Sequence, residues 1–143
     1  MIIKILLTLF TAITITLSSA QAADSKTHST AAAKVAILQP LDGATVPTTF
    51  TVKFGATGVD IVPAGTQQEH SGHHHLLIDT DVLPDMNSPL PASPTLIHFG
   101  KGQTETEITL PPGKHSLQLV LGNYAHIPGS TPVVSKKITV TVK

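Results

Sequence analysis

Three consecutive histidines stand between a glycine and a run of strand-forming residues, in Gly72-His73-His74-His75-Leu76-Leu77-Ile78-Asp79. On an extended strand, alternate side chains point to opposite faces. His73, His75, Leu77 and Asp79 therefore share one side, and His74, Leu76 and Ile78 the other. His73 and His75 form a His-x-His pair with Cα atoms about 6.5–7 Å apart, close enough for both imidazoles to reach one ion. His74 runs in phase with apolar residues and is expected to be buried with a hydrogen-bond partner for its ring.

Further imidazoles lie downstream. His98 ends a short β-like run before the Gly100-Lys101-Gly102 turn, His115 opens another after a turn, and His126 sits in Asn123-Tyr124-Ala125-His126-Ile127-Pro128. In a sandwich the loops gather at its ends, so His73, His98 and His126 can meet at one rim. A site of imidazoles with at most one carboxylate suits copper, zinc or nickel. The ligands expected are His73, His75, His98 and His126, with His74, His115, Asp79 and Glu105 as secondary candidates. Neutral imidazole is the ligand form, so binding is expected to weaken below pH about 6.5. A histidine taken singly is more often a hydrogen-bonding or packing residue, and His28, His70 and His115 are read that way.

Other chemistries are less well served. The chain has no cysteine, hence no thiolate ligand, thiol nucleophile or disulfide. Ser71, Asp79 and a histidine can be drawn as a triad, but the nucleophile elbow of α/β hydrolases is absent, as is the zinc-protease helix signature. Gly100-Lys101-Gly102-Gln103-Thr104 lacks the spacing of a phosphate loop. Nine basic and nine acidic residues leave no net charge, and only four Phe and one Tyr are present. Nucleic acid is thus not an expected partner; a metal ion or small ligand is.

The start of the chain sets the compartment. Lys4 precedes an uncharged apolar and threonine-rich run, Ile5 to Leu17, and Ala20-Gln21-Ala22 has the small-x-small pattern of a signal-peptidase site. Residues 1–22 are read as a signal peptide and 23–34 as a flexible lead-in, with periplasmic or secreted placement and no stable membrane span after cleavage. The run is short for a span, which takes about 20 residues. Residues 35–143 then form one domain, a usual size.

What must position the histidines is a set of short strands broken by Gly and Pro. Strand-like runs fall at 35–38, 49–54, 74–79, 96–99, 103–110, 115–121 and 133–142. Phe50, Val52 and Phe54 alternate with polar residues, as do Thr106, Ile108 and Leu110, then Leu117, Leu119 and Leu121, and finally Val134, Ile138, Val140 and Val142. Thr80 to Thr95 carries four prolines and reads as an irregular surface excursion. No amphipathic helix is evident. The fold class is all-β: an immunoglobulin-like antiparallel β-sandwich of about seven strands.

These motifs carry a resemblance. Gly72 to Asp79, Ile97-His98-Phe99-Gly100-Lys101-Gly102-Gln103-Thr104-Glu105, Leu110 to Leu119, Gly122 to Pro128 and the opening Gln39-Pro40-Leu41-Asp42-Gly43-Ala44-Thr45-Val46 resemble the bacterial exported proteins grouped as domain of unknown function 4399. The resemblance spans nearly all of Val35 to Lys143. It implies an exported, histidine-marked protein and carries no established activity. Some relatives have a second histidine after the His-Ile-Pro motif, where this chain has Gly129-Ser130; if that position is a ligand, the site here is one donor short.

The leading expectation is a periplasmic domain that binds copper or zinc through its histidine cluster. One alternative is a structural, adhesion or assembly module with hydrogen-bonded histidines. The other is a metal-dependent hydrolase using Asp79 or Glu105.

Overall fold

The strand-forming alternation has a simple physical outcome: one face of each strand is apolar and must be covered by another layer. The computed structural model describes residues 32–143. The expected signal peptide, most of the lead-in and His28 lie outside the described residues. Nine strands occur among the described residues: β1 (Lys34–Gln39), β2 (Thr45–Val46), β3 (Thr49–Thr57), β4 (Asp60–Ile61), β5 (Ser71–Ile78), β6 (Leu96–His98), β7 (Glu105–Thr109), β8 (Gly113–Gly122) and β9 (Ile138–Val142).

They form two sheets. One has the order β1-β3-β7 and the other β2-β9-β8-β5-β4, with β6 also paired to β5. The layers bury one core between them. Val35, Phe50, Val52, Phe54 and Ile108 come from the first sheet, and Leu76, Ile78, Leu117, Leu119, Leu121, Ile138, Val140 and Val142 from the second. Fully burying each such side chain contributes about 1.5–3 kcal/mol. This is an all-β, immunoglobulin-like sandwich without a disulfide, since the chain has no cysteine.

Three features differ from the sequence expectation. The pairing is not wholly antiparallel, because the two-residue strands β2 and β4 run parallel to β9 and β5. The last strand begins at Ile138 rather than Val133; Val134 makes only an isolated bridge to Val120. The segment between β5 and β6 is more than surface excursion. Its Leu90 is buried with Leu77, Leu96 and Val120, and Met86 and Val134 pack against them. Leu77 and Val120 point away from the inter-sheet core, so this second cluster covers the outer face of the larger sheet. Proline-rich chain reads as loop because it cannot supply ladder N–H groups, yet its apolar residues still find a surface to cover.

Asp79 and His115 lock one end of the β5–β8 pair. Asp79 is in the left-handed region, φ 50°, which an aspartate tolerates. Its backbone N–H donates to the Ser116 carbonyl at 2.9 Å, and its Oδ1 accepts from the Ser116 N–H at 2.8 Å. Its Oδ2 lies 2.6 Å from Nδ1 of His115, whose Nε2 lies 2.9 Å from the Pro111 carbonyl. The Asp79 carboxylate first, and the Pro111 carbonyl with it, hold the His115 imidazolium and raise its pKa. A raised folded-state pKa stabilises the fold fully below about pH 6.5, the unfolded value, and that contribution is lost as pH rises through the folded value. The pair is partly exposed, Asp79 by 44%, so its worth is about 0.5–1 kcal/mol. In Asp79→Asn, which keeps the turn residue and removes the charge, the stability lost between pH 6 and 8 is expected to shrink. Thermal melts of both proteins at the two pH values measure it, and an equal pH response in the two would contradict the assignment.

Candidate metal centre

Strand β5 carries the central residues. Its inward positions are His74, Leu76 and Ile78, and its outward ones His73, His75 and Leu77. The β5–β8 register sets His73 opposite Gly122, His75 opposite Val120 and Leu77 opposite Gln118. On the other side of β5, His75 lies opposite His98 and Leu77 opposite Leu96. Directly opposed residues on antiparallel strands share a face. Hence His73, His75 and His98 rise from one outer sheet face, at the end where β5 begins and where β6 and β8 finish. The expectation that the histidines meet at a rim is thus refined: they meet on the sheet surface beside that end.

The fourth ring comes from the turn after β8. Asn123 builds that turn. Its Oδ1 accepts the N–H groups of Ala125 and Ile127 at 2.9 and 3.0 Å, its own N–H donates to the Ile127 carbonyl at 3.0 Å, and its carbonyl accepts the His126 N–H at 2.8 Å. His126 sits at φ 66°, a left-handed conformation that costs a residue with a Cβ about 1 kcal/mol and is held by these bonds. The covering segment ties down the same residue, since the Leu90 N–H donates to the His126 carbonyl at 3.0 Å.

The four rings are mutual neighbours. Centroid separations are 4.8 Å for His73–His75, 4.9 Å for His73–His98 and 4.9 Å for His73–His126. They are 5.1 Å for His75–His98, 5.9 Å for His75–His126 and 4.6 Å for His98–His126. Nitrogens of His73, His98 and His126 all lie within 4.8 Å of one another; His75 joins the group by its ring, set slightly farther back. The Nε2 atoms of His98 and His126 are 3.1 Å apart, one donating to the other. His73 and His75 are almost fully buried, at 0% and 1% exposure. His126 is half-buried and His98 exposed. Two rings form a floor and two a mouth.

The floor is electrostatically unusual. Both nitrogens of His73 and of His75 are buried without a hydrogen-bond partner. Each buried unpaired donor or acceptor costs about 1–3 kcal/mol. Burial first, then the His98 and His126 imidazoles, lowers the pKa of His73 to about 4. Burial first, then His73, His98 and His126, lowers that of His75 to about 3, with the His73 backbone opposing the shift weakly. The pKa of His98 is lowered by burial and by His126. The pH expectation drawn from an ordinary imidazole therefore moves: the floor rings stay neutral, hence competent as ligands, well below pH 6.5.

The secondary candidates lie elsewhere. His74 is buried in the inter-sheet core as its phase requires, its ring edge-on to Phe54 with centroids 4.9 Å apart. The hydrogen bond expected for it is absent: neither ring nitrogen has a partner. His115 and Asp79 are engaged with each other. Asp79 shares the phase of His75 in the sequence, but its positive φ turns the chain out of the strand. Glu105 is on β7 in the other sheet, 3.7 Å from the Lys53 ammonium and paired with it. None of the four joins the ring cluster. Sequence reasoning missed Asn123, Leu90 and two glycines. A Cβ on Gly122 would lie 2.7 Å from Cε1 of His75 and 3.3 Å from the His126 carbonyl carbon, and one on Gly100 would strike the His98 ring. A glycine near each histidine block was the available signal for close approach.

Buried neutral imidazoles make the fold acid-sensitive. The pKa of His74 is also lowered by burial, to about 4. Below about pH 6.5 the unfolded chain takes up protons that the folded one refuses. Stability therefore falls as pH drops from about 6.5 towards 4, by up to about 1.4 kcal/mol per pH unit for each imidazole. Denaturant unfolding of chelator-treated protein at pH 7 and 4.5 should show the loss, and His74→Leu should reduce it. Equal stability at the two pH values would contradict the burial of these rings.

Among solved structures the chain is similar to an endo-β-1,4-mannanase from Thermotoga petrophila, at 14% identity and a TM-score of 0.46, over 80% of this chain and 20% of that one. It is also similar to the fibronectin(III)-like modules of Clostridium thermocellum CbhA, at 14% identity and a TM-score of 0.40, over 76% of this chain and 95% of that one. The chain spans only a fifth of the mannanase's length. No curated protein matches it. Residues 52–143, which hold β5, β6, the turn after β8 and all four clustered rings, match the family described as domain of unknown function (DUF4399), and the chain belongs to that family.

Proposed function

We propose that this chain is an exported binding domain that holds one transition-metal ion, copper or zinc, through His73, His75, His98 and His126, for sequestration or delivery. The observation that carries this reading is the convergence of four imidazoles from β5, β6 and the turn after β8, the two deepest with no hydrogen-bond partner at either nitrogen. A bound cation would engage a nitrogen on each floor ring and replace the single hydrogen between His98 and His126. Unpaired nitrogens alone do not point to a metal, because His74 has them too. What sets the outer cluster apart is that its four rings are mutual neighbours, with nitrogens of His73, His98 and His126 within 4.8 Å of one another. The export part of the reading rests on the signal-peptide pattern of residues 1–22.

The structural-module alternative needs the histidines to satisfy one another by hydrogen bonds, and only the His98–His126 pair does so. The hydrolase alternative needs a carboxylate at the open side, and Asp79 and Glu105 are both engaged elsewhere.

Calorimetric titration of the mature domain with Zn(II) is expected to give one equivalent, bound far more tightly than by an unstructured histidine peptide. Melting temperature should rise with the ion; at 100 times Kd the gain is about 2.7 kcal/mol. His98→Ala and His126→Ala each remove a donor at the mouth and should weaken binding by more than about 10-fold, while His115→Ala leaves it unchanged. Affinity no better than the free peptide's would end the metal reading. A second prediction concerns the space around the rings. Gly122→Ala, whose new methyl meets the His75 ring, should lower metal affinity although every donor remains, as read in the same titration; unchanged affinity would show that His75 is not held against Gly122.

A further inference from the structure

The ring positions also bear on which ion fits, an inference that rests on the metal-binding reading above. Imidazoles bound at about 2.0–2.1 Å through nitrogen put their centroids about 3.2 Å from the ion, hence about 5.2 Å apart at the corners of a tetrahedron. At the corners of a square they would be about 4.5 Å apart along the sides and about 6.4 Å across the diagonals. The observed separations run only from 4.6 to 5.9 Å. Of the three ways to divide the four rings into opposite pairs, the one with the longest separations, His75–His126 and His73–His98, measures only 5.9 and 4.9 Å. A square is excluded even without His75, whereas the facial corners of an octahedron, about 4.5 Å apart, are excluded only with it, since any four octahedral corners include a trans pair about 6.4 Å apart. His73, His98 and His126 form a near-equilateral triangle of 4.9, 4.9 and 4.6 Å, whereas three corners of a square require one long edge.

The backbone holds this shape. Three rings stand on one sheet face in fixed register, which already places His73, His75 and His98 at a corner of the strand lattice. The fourth cannot enter their row, because Gly122, opposite His73, offers no side chain, and the ring is supplied by His126 from the turn beyond. The His126 backbone, from which the fourth ring springs, is held out of the plane of the other three by its bonds to Asn123 and Leu90. The ligand group contains no carboxylate, and its floor borders the apolar cluster of Leu77, Leu90, Leu96 and Val120. Four neutral donors leave the ion's charge uncompensated, and the cost of placing charge in such surroundings rises steeply with its magnitude.

We infer that the site is shaped for a closed-shell d10 ion of tetrahedral preference, and that copper in it is held as Cu(I). Cu(II) and Ni(II), which favour tetragonal or square-planar N/O surroundings, are disfavoured by the same cage. Zn(II) satisfies the shape, and Cu(I) satisfies both the shape and the lower charge.

The test uses the mature domain, with Cu(I), Cu(II), Zn(II) and Ni(II) each competed against chelators of known affinity, and the midpoint potential of the copper-loaded protein measured. The expected result is Cu(I) favoured over Cu(II) by about 100-fold relative to the aqueous couple, a potential raised by about 120 mV. Zn(II) should come within about 10-fold of Cu(II), against the usual order in which Cu(II) leads clearly. Cu(II) bound most tightly, with a tetragonal paramagnetic-resonance spectrum and an unshifted potential, would overturn the inference while leaving the metal site standing. Failure of all four ions to bind would overturn the metal reading itself, and this inference with it.

Discussion

A strand buried on both faces has to satisfy two layers with alternate residues, and β5 is such a strand. Every residue from Gly72 to Ile78 is buried. Its inward positions, His74, Leu76 and Ile78, belong to the core between the sheets; its outward positions, His73, His75 and Leu77, face the cover laid over the larger sheet. Because the side-chain period is two, shifting the register of β5 by one residue would exchange the two sets and place His73 and His75 in the inter-sheet core. The leucines thus hold the histidines in place: Leu76 against Leu119 inward and Leu77 within the outer cluster fix the phase that puts both rings on one face.

The outer cover lies on the same sheet face as the rings. The segment between β5 and β6 lays Leu90 and Met86 over Leu77, Leu96 and Val120, and the Leu90 N–H anchors the carbonyl of His126. The patch adjoins the floor in sheet register, His75 lying opposite Val120 and two residues before Leu77, while one backbone hydrogen bond fixes a mouth ring. Burial leaves His73 and His75 neutral and without hydrogen-bond partners, a state that destabilises the fold. A surplus of core packing elsewhere, from residues such as Val52, Leu117, Leu119 and Val140 at 0% exposure, offsets that cost.

Much of the fold was legible in the sequence because period-two alternation is a local property. The faces of β3, β7 and β8 follow directly from Phe50-Val52-Phe54, Ile108 and Leu117-Leu119-Leu121. The His-x-His pair on β5 was legible for the same reason. Asp79 was not, because phase alone cannot report that the chain leaves the strand at that residue with a positive φ. Glu105 was assigned by residue type, and type does not say which sheet a strand joins. The excursion from Thr80 to Thr95 hid its role, since a proline-rich segment has no periodicity from which Leu90 could be seen to cover a sheet. The pairing of β6 with β5, which brings His98 opposite His75, is a contact across 23 residues of chain that no local pattern encodes.

The rings of His73, His75, His98 and His126 share one small volume, apart from His74 in the core and His115 beside Asp79. Long-range proton–nitrogen correlation spectra of the histidine rings, recorded while Zn(II) is added to the purified protein, test this arrangement most directly. The prediction is that ring nitrogens of His73, His75, His98 and His126 shift together and saturate at one equivalent, while those of His74 and His115 stay where they were. Shifts confined to His115 and His70, or spread over all rings without saturation, would contradict it.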